Sequence, residues 1–264
     1  MSKKRSRWSY DVYLRRLSKG RGTGTGSSYQ PWITIHDFAS KGSVSRILGR
    51  KSGRIHHLFS HLESDLFCLF DHSQDIADIR EQFPLRLKET LQLSARMNIR
   101  HPFLPGCDFP FVMTTDFLLT MDDGSFRAYA VKSSDDLDNK RTVQKLMLEK
   151  AFWEQENVRW KIITEKEINR DKAANLRWLY YGDDISCIIP CSLLSICESR
   201  FVELYHDRNI PFPYIIDTIE EGFSLPDGSG MALFKHLVRS GTISMNLEHR
   251  IDTSEPRKGV TPDA

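Results

Sequence analysis

Cysteine is scarce here and spaced for no obvious purpose. Cys68, Cys107, Cys187, Cys191 and Cys197 are odd in number and contain no CxxC pair, which argues against a disulfide framework or a zinc ribbon. The cluster Cys187-x3-Cys191-x5-Cys197 admits a metal reading, but small buried thiols are the ordinary use of such residues. Long apolar runs are missing as well: none is long enough to span a bilayer, and no signal peptide is legible. Reduced thiols in a cytoplasmic protein are therefore expected. Nor is there a strong charge of one sign, since the net charge is only +2. Finally, the glycines of Lys19-Gly20-Arg21-Gly22-Thr23-Gly24-Thr25-Gly26 follow no strand pattern, so a nucleotide-binding fingerprint fits them poorly.

What is present is unevenly distributed. Residues 1–58 carry thirteen Lys or Arg against two acids, Asp11 and Asp37, while the rest is balanced or acidic. The chain has 264 residues, 40% of them hydrophobic, which allows a well-packed domain and a smaller one.

The stretch Thr115 to Lys132 reads as a β-hairpin. Asp116-Phe117-Leu118-Leu119 is mostly apolar, Asp122-Asp123-Gly124 supplies turn chemistry, and Phe126 to Val131 alternates. Side chains two apart share a strand face, so Ala130 and Lys132 point one way and Val131 the other. If Asp116 opens the partner strand, its carboxylate lies beside the Lys132 ammonium. A carboxylate that holds Mg²⁺ beside a lysine that positions a nucleophile suits phosphodiester hydrolysis; a surface ion pair on an exposed hairpin has the same sequence. A third group comes from the helix predicted after Ser60, with Leu62, Leu66, Leu69 and Phe70 at helical spacing. Ser60 is a candidate N-cap with Glu63 three residues on, so Glu63 either completes a capping box or faces the hairpin as a second metal-binding carboxylate.

Several runs in fixed order make the chain resemble the TnsA family of transposon endonucleases. They are His56-His57-Leu58-Phe59-Ser60-His61-Leu62-Glu63, Asp78-Ile79-Arg80-Glu81-Gln82-Phe83-Pro84-Leu85, Thr115-Asp116-Phe117-Leu118 and Ala130-Val131-Lys132. Arg141-Thr142, Lys145-Leu146-Met147-Leu148-Glu149-Lys150, Trp153 and Thr164 to Asn169 continue the likeness. Upstream, Gly20-Arg21-Gly22-Thr23-Gly24 and Tyr29-Gln30-Pro31-Trp32 extend it, so that it covers roughly residues 15–180.

The resemblance implies an α/β (α+β) restriction-endonuclease-like mixed sheet flanked by helices, and a bacterial, cytoplasmic nuclease that joins the nucleoid during transposition. It would cut the 5′ strands at transposon ends with Mg²⁺, or Mn²⁺ in its place, beside a TnsB-type transposase and a TnsC-type ATPase. Carried onto this chain, the catalytic residues are Glu63, Asp116 and Lys132, and the metal is held by Glu63, Asp116 and the Val131 carbonyl. The family pattern has an acid or amide two residues before the lysine, and Ala130 stands there instead. Two further readings stay open: an adaptor bridging transposase, DNA and ATPase, and a stand-alone restriction or repair nuclease.

Arg46, Arg50, Lys51 and Arg54 fall on a second predicted hairpin, Ser43 to Phe59, as a basic edge suited to a phosphate backbone or merely to solvent. Arg21 and the backbone amides of the glycine loop are further candidate DNA contacts, a plain flexible linker being the other reading of that loop. Tyr10 to Leu17 predicts a helix with Tyr10, Tyr13, Leu14 and Leu17 on one side. Asp75 to Leu85 predicts a strand whose Arg80 and Glu81 pair with each other or orient the site. Leu87–Met97 and a long segment to Asn157 predict helices, and Arg159 to Ile163 a last strand. Glu149 reads as a surface or ion-paired residue that can lean toward the metal. His56 and His57 face opposite ways and are not expected to bind metal.

The chain divides, on this reading, into a nuclease domain (1–168, with the basic amino-terminal segment), a winged-helix domain (169–250) and a disordered tail (251–264). The second domain has helical patterns at Ala173–Tyr181, Ser192–His206, Phe212–Gly222 and Gly228–Ser240, then Gly241 to Asn246 as a wing strand. Asp217, Glu220 and Glu221 would repel phosphate, which favours docking of a protein over DNA.

Overall fold

The computed structural model describes residues 8–37, 43–181, 184–252, 254 and 256. The expected basic tail Met1 to Arg7 and most of the expected disordered tail lie outside them. The chain divides after Ile168 into two compact units. No described helix is long and apolar enough to cross a membrane.

The first unit is built on a mixed sheet in the order β3 (Ile76–Pro84), β4 (Thr114–Met121), β5 (Phe126–Val131), β6 (Arg159–Ile163). β3, β4 and β5 are antiparallel neighbours, and the Asp122 to Ser125 turn closes the central hairpin. β6 runs parallel to β5 because the chain crosses over through α4 (Lys140–Gln155), as a parallel pair requires. α4 and α3 (Leu87–Arg96) cover one face, where Leu118 and Ala128 meet Leu93, Leu148, Phe152 and Trp153. α2 (His61–His72) covers the other, its Phe70 ring 5.7 Å from Phe117 and 5.2 Å from Tyr129. The buried side of α2 centres on Leu66, Phe67, Cys68 and Asp71. Leu62, Leu69 and Phe70 are only half-buried, because the helix packs against a sheet and a hairpin at once. That hairpin, β1 (Ser45–Leu48) and β2 (Ile55–Leu58), stands apart as a two-stranded sheet.

The amino-terminal segment departs from its sequence reading. α1 (Tyr10–Ser18) buries Val12 and Arg16, leaving Tyr10, Leu14 and Leu17 exposed. The Arg16 guanidinium lies over the Trp8 and Trp32 rings and pairs with Asp37 at 3.1 Å. The glycine loop is packed at Gly22, where a Cβ, at φ +80°, would stand 2.2 Å from the Pro84 side chain, while Thr23 to Thr25 are exposed. Arg80 and Glu81 do not pair with each other. They alternate across the strand, so Arg80 reaches Asp78 and Thr120 while Glu81 accepts hydrogen bonds from Arg54 and His56.

The second unit contains α5 (Arg170–Tyr180), α6 (Cys191–His206), α7 (Phe212–Gly222) and α8 (Ser229–Arg239). Its core gathers Phe201, Phe212, Ile215, Ile219, Leu233 and Phe234, with Phe212 and Phe234 rings 4.9 Å apart. The expected wing does not form: among the described residues no strand follows α8. Alternation alone supplies no pairing partner. Past that segment, the buried Asn175 side chain donates to Leu247 O and His249 O and accepts from Ile251 N.

Candidate active site

Glu63 owes its place to a helix cap. Ser60 Oγ accepts from Glu63 N at 3.1 Å and donates to Glu63 Oε1 at 3.1 Å, while Phe59 N donates to Oε2 at 2.9 Å. The cap and the cleft are thus not alternatives, since this carboxyl also faces the hairpin across a cavity of 580 Å³. Asp116 lies near the start of β4, beside the end of antiparallel β5. Its Oδ2 accepts from Val131 N at 2.7 Å and from Lys132 Nζ at 2.9 Å. The same ammonium donates to Val131 O at 2.7 Å. Glu63, Asp116, Val131 and Lys132 therefore line one cleft.

Glu149 joins them. It lies on α4 and is buried: its Oε1 accepts from Thr115 Oγ1 at 2.7 Å and from Trp160 Nε1 at 3.0 Å. Thr115 in turn accepts from Trp153 Nε1 at 2.6 Å. A surface glutamate was the wrong expectation for Glu149, because the sequence does not show that Thr115, which points away from Asp116 along the strand, meets it. The available signal was its place beside Leu146 and Trp153 on one helical face.

Electrostatics follow from this crowding. Burial and then the Asp116 charge push the Glu63 carboxyl up to about 7, against the pull of Phe59 N–H and Lys132. Burial and then Asp116 push Glu149 up to about 7 as well. Burial tends to lower the Lys132 pKa, but the charge and hydrogen bond of Asp116 outweigh it and hold the ammonium protonated. The cleft thus has more acid than one lysine neutralises, and two carboxyls that exchange protons near neutrality.

These donors fit a hard divalent cation. Two carboxylates and a carbonyl are oxygen ligands of the kind Mg²⁺ and Mn²⁺ take, and burial and the Asp116 charge, which both disfavour the Glu63 carboxylate, are what such a cation would offset. Among the described residues no three His, Cys, Asp or Glu side chains form a metal-holding group, so water and phosphate oxygens would complete the coordination. Cys187 and Cys191 are exposed and Cys197 is buried, none in a disulfide. Ala130 is fully buried opposite Asp116, between Tyr129 and Val131.

The basic candidates separate into two groups. The Arg54 guanidinium is held at 2.8 and 2.5 Å by Glu81, with Ile79 O and Gly26 O as further acceptors. Arg21 is held by Asp37 at 2.6 Å and by Trp32 O. Both guanidiniums are tied to acids of the fold that lie far along the chain, a pairing that charge alone does not show. Arg46 and Arg50 are exposed on the β1–β2 hairpin, Arg50 beside His72, and Lys51 is half-exposed. His56 is buried against Glu81 and Ser52, and His57 is half-buried.

Two family models match the chain: "TnsA-like endonuclease N terminal" over residues 73–165 and "TnsA endonuclease C terminal" over residues 167–247. A curated relative, "Transposon Tn7 transposition protein TnsA" of Escherichia coli, is 35% identical over 251 residues, which is 94% of this chain and 90% of that protein.

Proposed function

The chain belongs to the TnsA family of transposon endonucleases, and from that premise we propose that it cuts the 5′ strands at transposon ends in a reaction that depends on Mg²⁺, with Mn²⁺ able to substitute. A TnsB-type transposase would cut the 3′ strands, and a TnsC-type ATPase would couple both to target choice. The observation that carries this reading is the convergence of Glu63, Asp116 and Lys132, from α2, β4 and the end of β5, on one cleft. Glu63, Asp116 and the Val131 carbonyl would hold the cation, which when bound lowers the pKa of a coordinated water and neutralises phosphate charge.

The protein's own groups divide the remaining work. Lys132 keeps its proton, so it orients the attacking water and offsets charge on the phosphate instead of serving as a base. Glu63 would hold the cation as a carboxylate, its proton lost. Glu149, anchored by Thr115 and Trp160, fixes the side of the cleft formed by α4.

Strand-specific end cleavage with reconstituted transposase and ATPase tests the proposal. Asp116→Ala is expected to abolish the 5′-strand cut and leave the 3′ nicks. Identical behaviour of wild type and variant, with only 3′ nicks in both, would replace this reading with the adaptor, which Ala130 favours because its methyl group ligates nothing. Robust cutting by the isolated protein would favour a stand-alone nuclease.

Lys145 lines the same cleft from α4, exposed and with its side chain in no hydrogen bond or ion pair among the described residues. Lys145→Ala is expected to weaken DNA binding and to reduce the slope of log K against log salt by about one, the signature of one lost phosphate contact. Fluorescence anisotropy over a salt series measures it; an unchanged slope removes Lys145 from the interface. Exposed Arg46 and Arg50 extend the proposed DNA surface.

For the second unit we favour protein docking, with the ATPase as partner. Tyr214, Asp217 and Glu221 form an exposed stripe on α7 that carries two acids, while Glu220 is engaged at the start of α8 by Gly228 N and Gly230 N.

A further inference from the structure

Gln82 adopts a backbone conformation that a strand residue other than glycine rarely takes. It lies in β3 between the pairs Glu81↔Phe117 and Phe83↔Thr115, opposite Asp116, yet its φ is +49°. The left-handed region is uncomfortable for any side chain with a Cβ, and a glycine would occupy it without that cost. A glutamine there asks for a reason, because backbone strain of this kind concentrates at functional sites. Part of the reason is the main chain: the turned Gln82 carbonyl accepts from Trp32 N at 3.2 Å and ties the amino-terminal segment to β3. That bond needs only backbone, so it does not account for the side chain.

The side chain is buried and ordered from both ends. Thr114 Oγ1 donates to Gln82 Oε1 at 2.9 Å, which leaves the amide nitrogen facing the other way. Gln82 Nε2 then donates to Asp116 Oδ1 at 3.4 Å. The other carboxylate oxygen, Oδ2, is held by Val131 N and Lys132 Nζ. Asp116 is thereby gripped at both oxygens, from β5 on one side and from β3 on the other. A carboxylate free to rotate about its last torsion would present either oxygen to the cleft; one held at both ends presents a single orientation.

From this geometry we infer that Gln82 is a positioning residue for Asp116: its amide fixes the plane of the carboxylate, and the strained backbone is tolerated because it aims that amide. The inference rests on the reading of the cleft as a metal-dependent nuclease site. It assigns to β3 a part in the site that the resemblance does not give it. The amide is supplied across the strands, from the neighbour of β4 opposite to the one that carries Ala130.

The test separates side chain from backbone. Gln82→Gly keeps the backbone and removes both the strain and the amide, so it should melt at or above the wild-type temperature. Mn²⁺ affinity, measured by calorimetry on the full chain without DNA, should fall about tenfold, the usual loss when a group that orients a ligand is removed. In end cleavage, kcat should fall while KM for DNA stays. Gln82→Met keeps the length and Cβ without a donor, and should lose Mn²⁺ affinity similarly even if the glycine variant folds poorly. Wild-type affinity in both variants, with affinity lost in Asp116→Ala, overturns the inference and leaves the cleft reading standing. Wild-type Mn²⁺ affinity in Asp116→Ala overturns both.

Discussion

Lys132→Met is expected to slow 5′-strand cleavage about a thousandfold while divalent-cation affinity stays the same or rises. The Lys132 ammonium lies 2.9 Å from Asp116 Oδ2 and 2.7 Å from Val131 O, two of the three oxygens proposed to hold the cation. It therefore competes with a metal for the same electrons, and its removal frees them. Burial works against its charge, but Asp116 outweighs burial and keeps it an ammonium, so what the variant loses is a positive charge beside the reacting phosphate. Lys132→Arg should restore little, because the guanidinium is planar, larger and unable to bring one compact charge between two oxygens. Single-turnover cleavage and Mn²⁺ calorimetry at pH 8, above the value of about 7 to which Glu63 and Glu149 are pushed, separate the two effects. Loss of metal binding together with cleavage would make Lys132 a structural residue. Wild-type cleavage would remove it from the chemistry.

The arrangement of the candidate site is legible in the sequence where its geometry is local. Ser60 and Glu63 are three residues apart, and one helical turn brings them together; Asp122-Asp123-Gly124 turns the chain so that Asp116 and Lys132 meet. Helix and strand positions followed from periodicity in the same way, including α7 at Phe212–Gly222. What was not legible is tertiary. Glu149 is defined by Thr115 and Trp160, on two other elements. Arg54 looked like a DNA contact because a sequence shows its charge and not the carboxylate of Glu81, 27 residues away. The wing failed because an alternating segment becomes a strand only when another strand offers its backbone, and among the described residues no strand pairs with Gly241 to Asn246. Gln82 shows the same limit in reverse: no local rule places a glutamine at positive φ, so a sequence reading draws β3 as regular through that residue.

Glu81→Gln is expected to cost the first unit on the order of 4 kcal/mol, because it leaves the buried Arg54 cation without its carboxylate. Glu81 is fully buried and accepts from Arg54 at 2.8 and 2.5 Å, from His56 Nδ1 at 2.8 Å and from His57 N at 3.2 Å. It joins β3 to β2 and so to the turn that carries Ser60 and Glu63. Burial alone would raise its pKa, but hydrogen bonds from His56 and Arg54 hold it down at about 2. A carboxyl lowered in the folded state contributes stability above its unfolded value of about 4.5 and loses it as pH falls toward 2. The stability gap between wild type and Glu81→Gln should therefore be constant from pH 7 to about 5 and close below 4.5. Thermal melts at pH 7 should show a drop of about 10 °C, and denaturant melts across the acid range should trace the closing gap. Cleavage at 20 °C should persist in the folded variant, since Glu81 does not line the cleft, and this distinguishes it from Asp116 and Lys132. A gap that stays open to pH 2, or no gap at neutrality, would mean that the Arg54 charge is stabilised by Ile79 O and Gly26 O and not by Glu81.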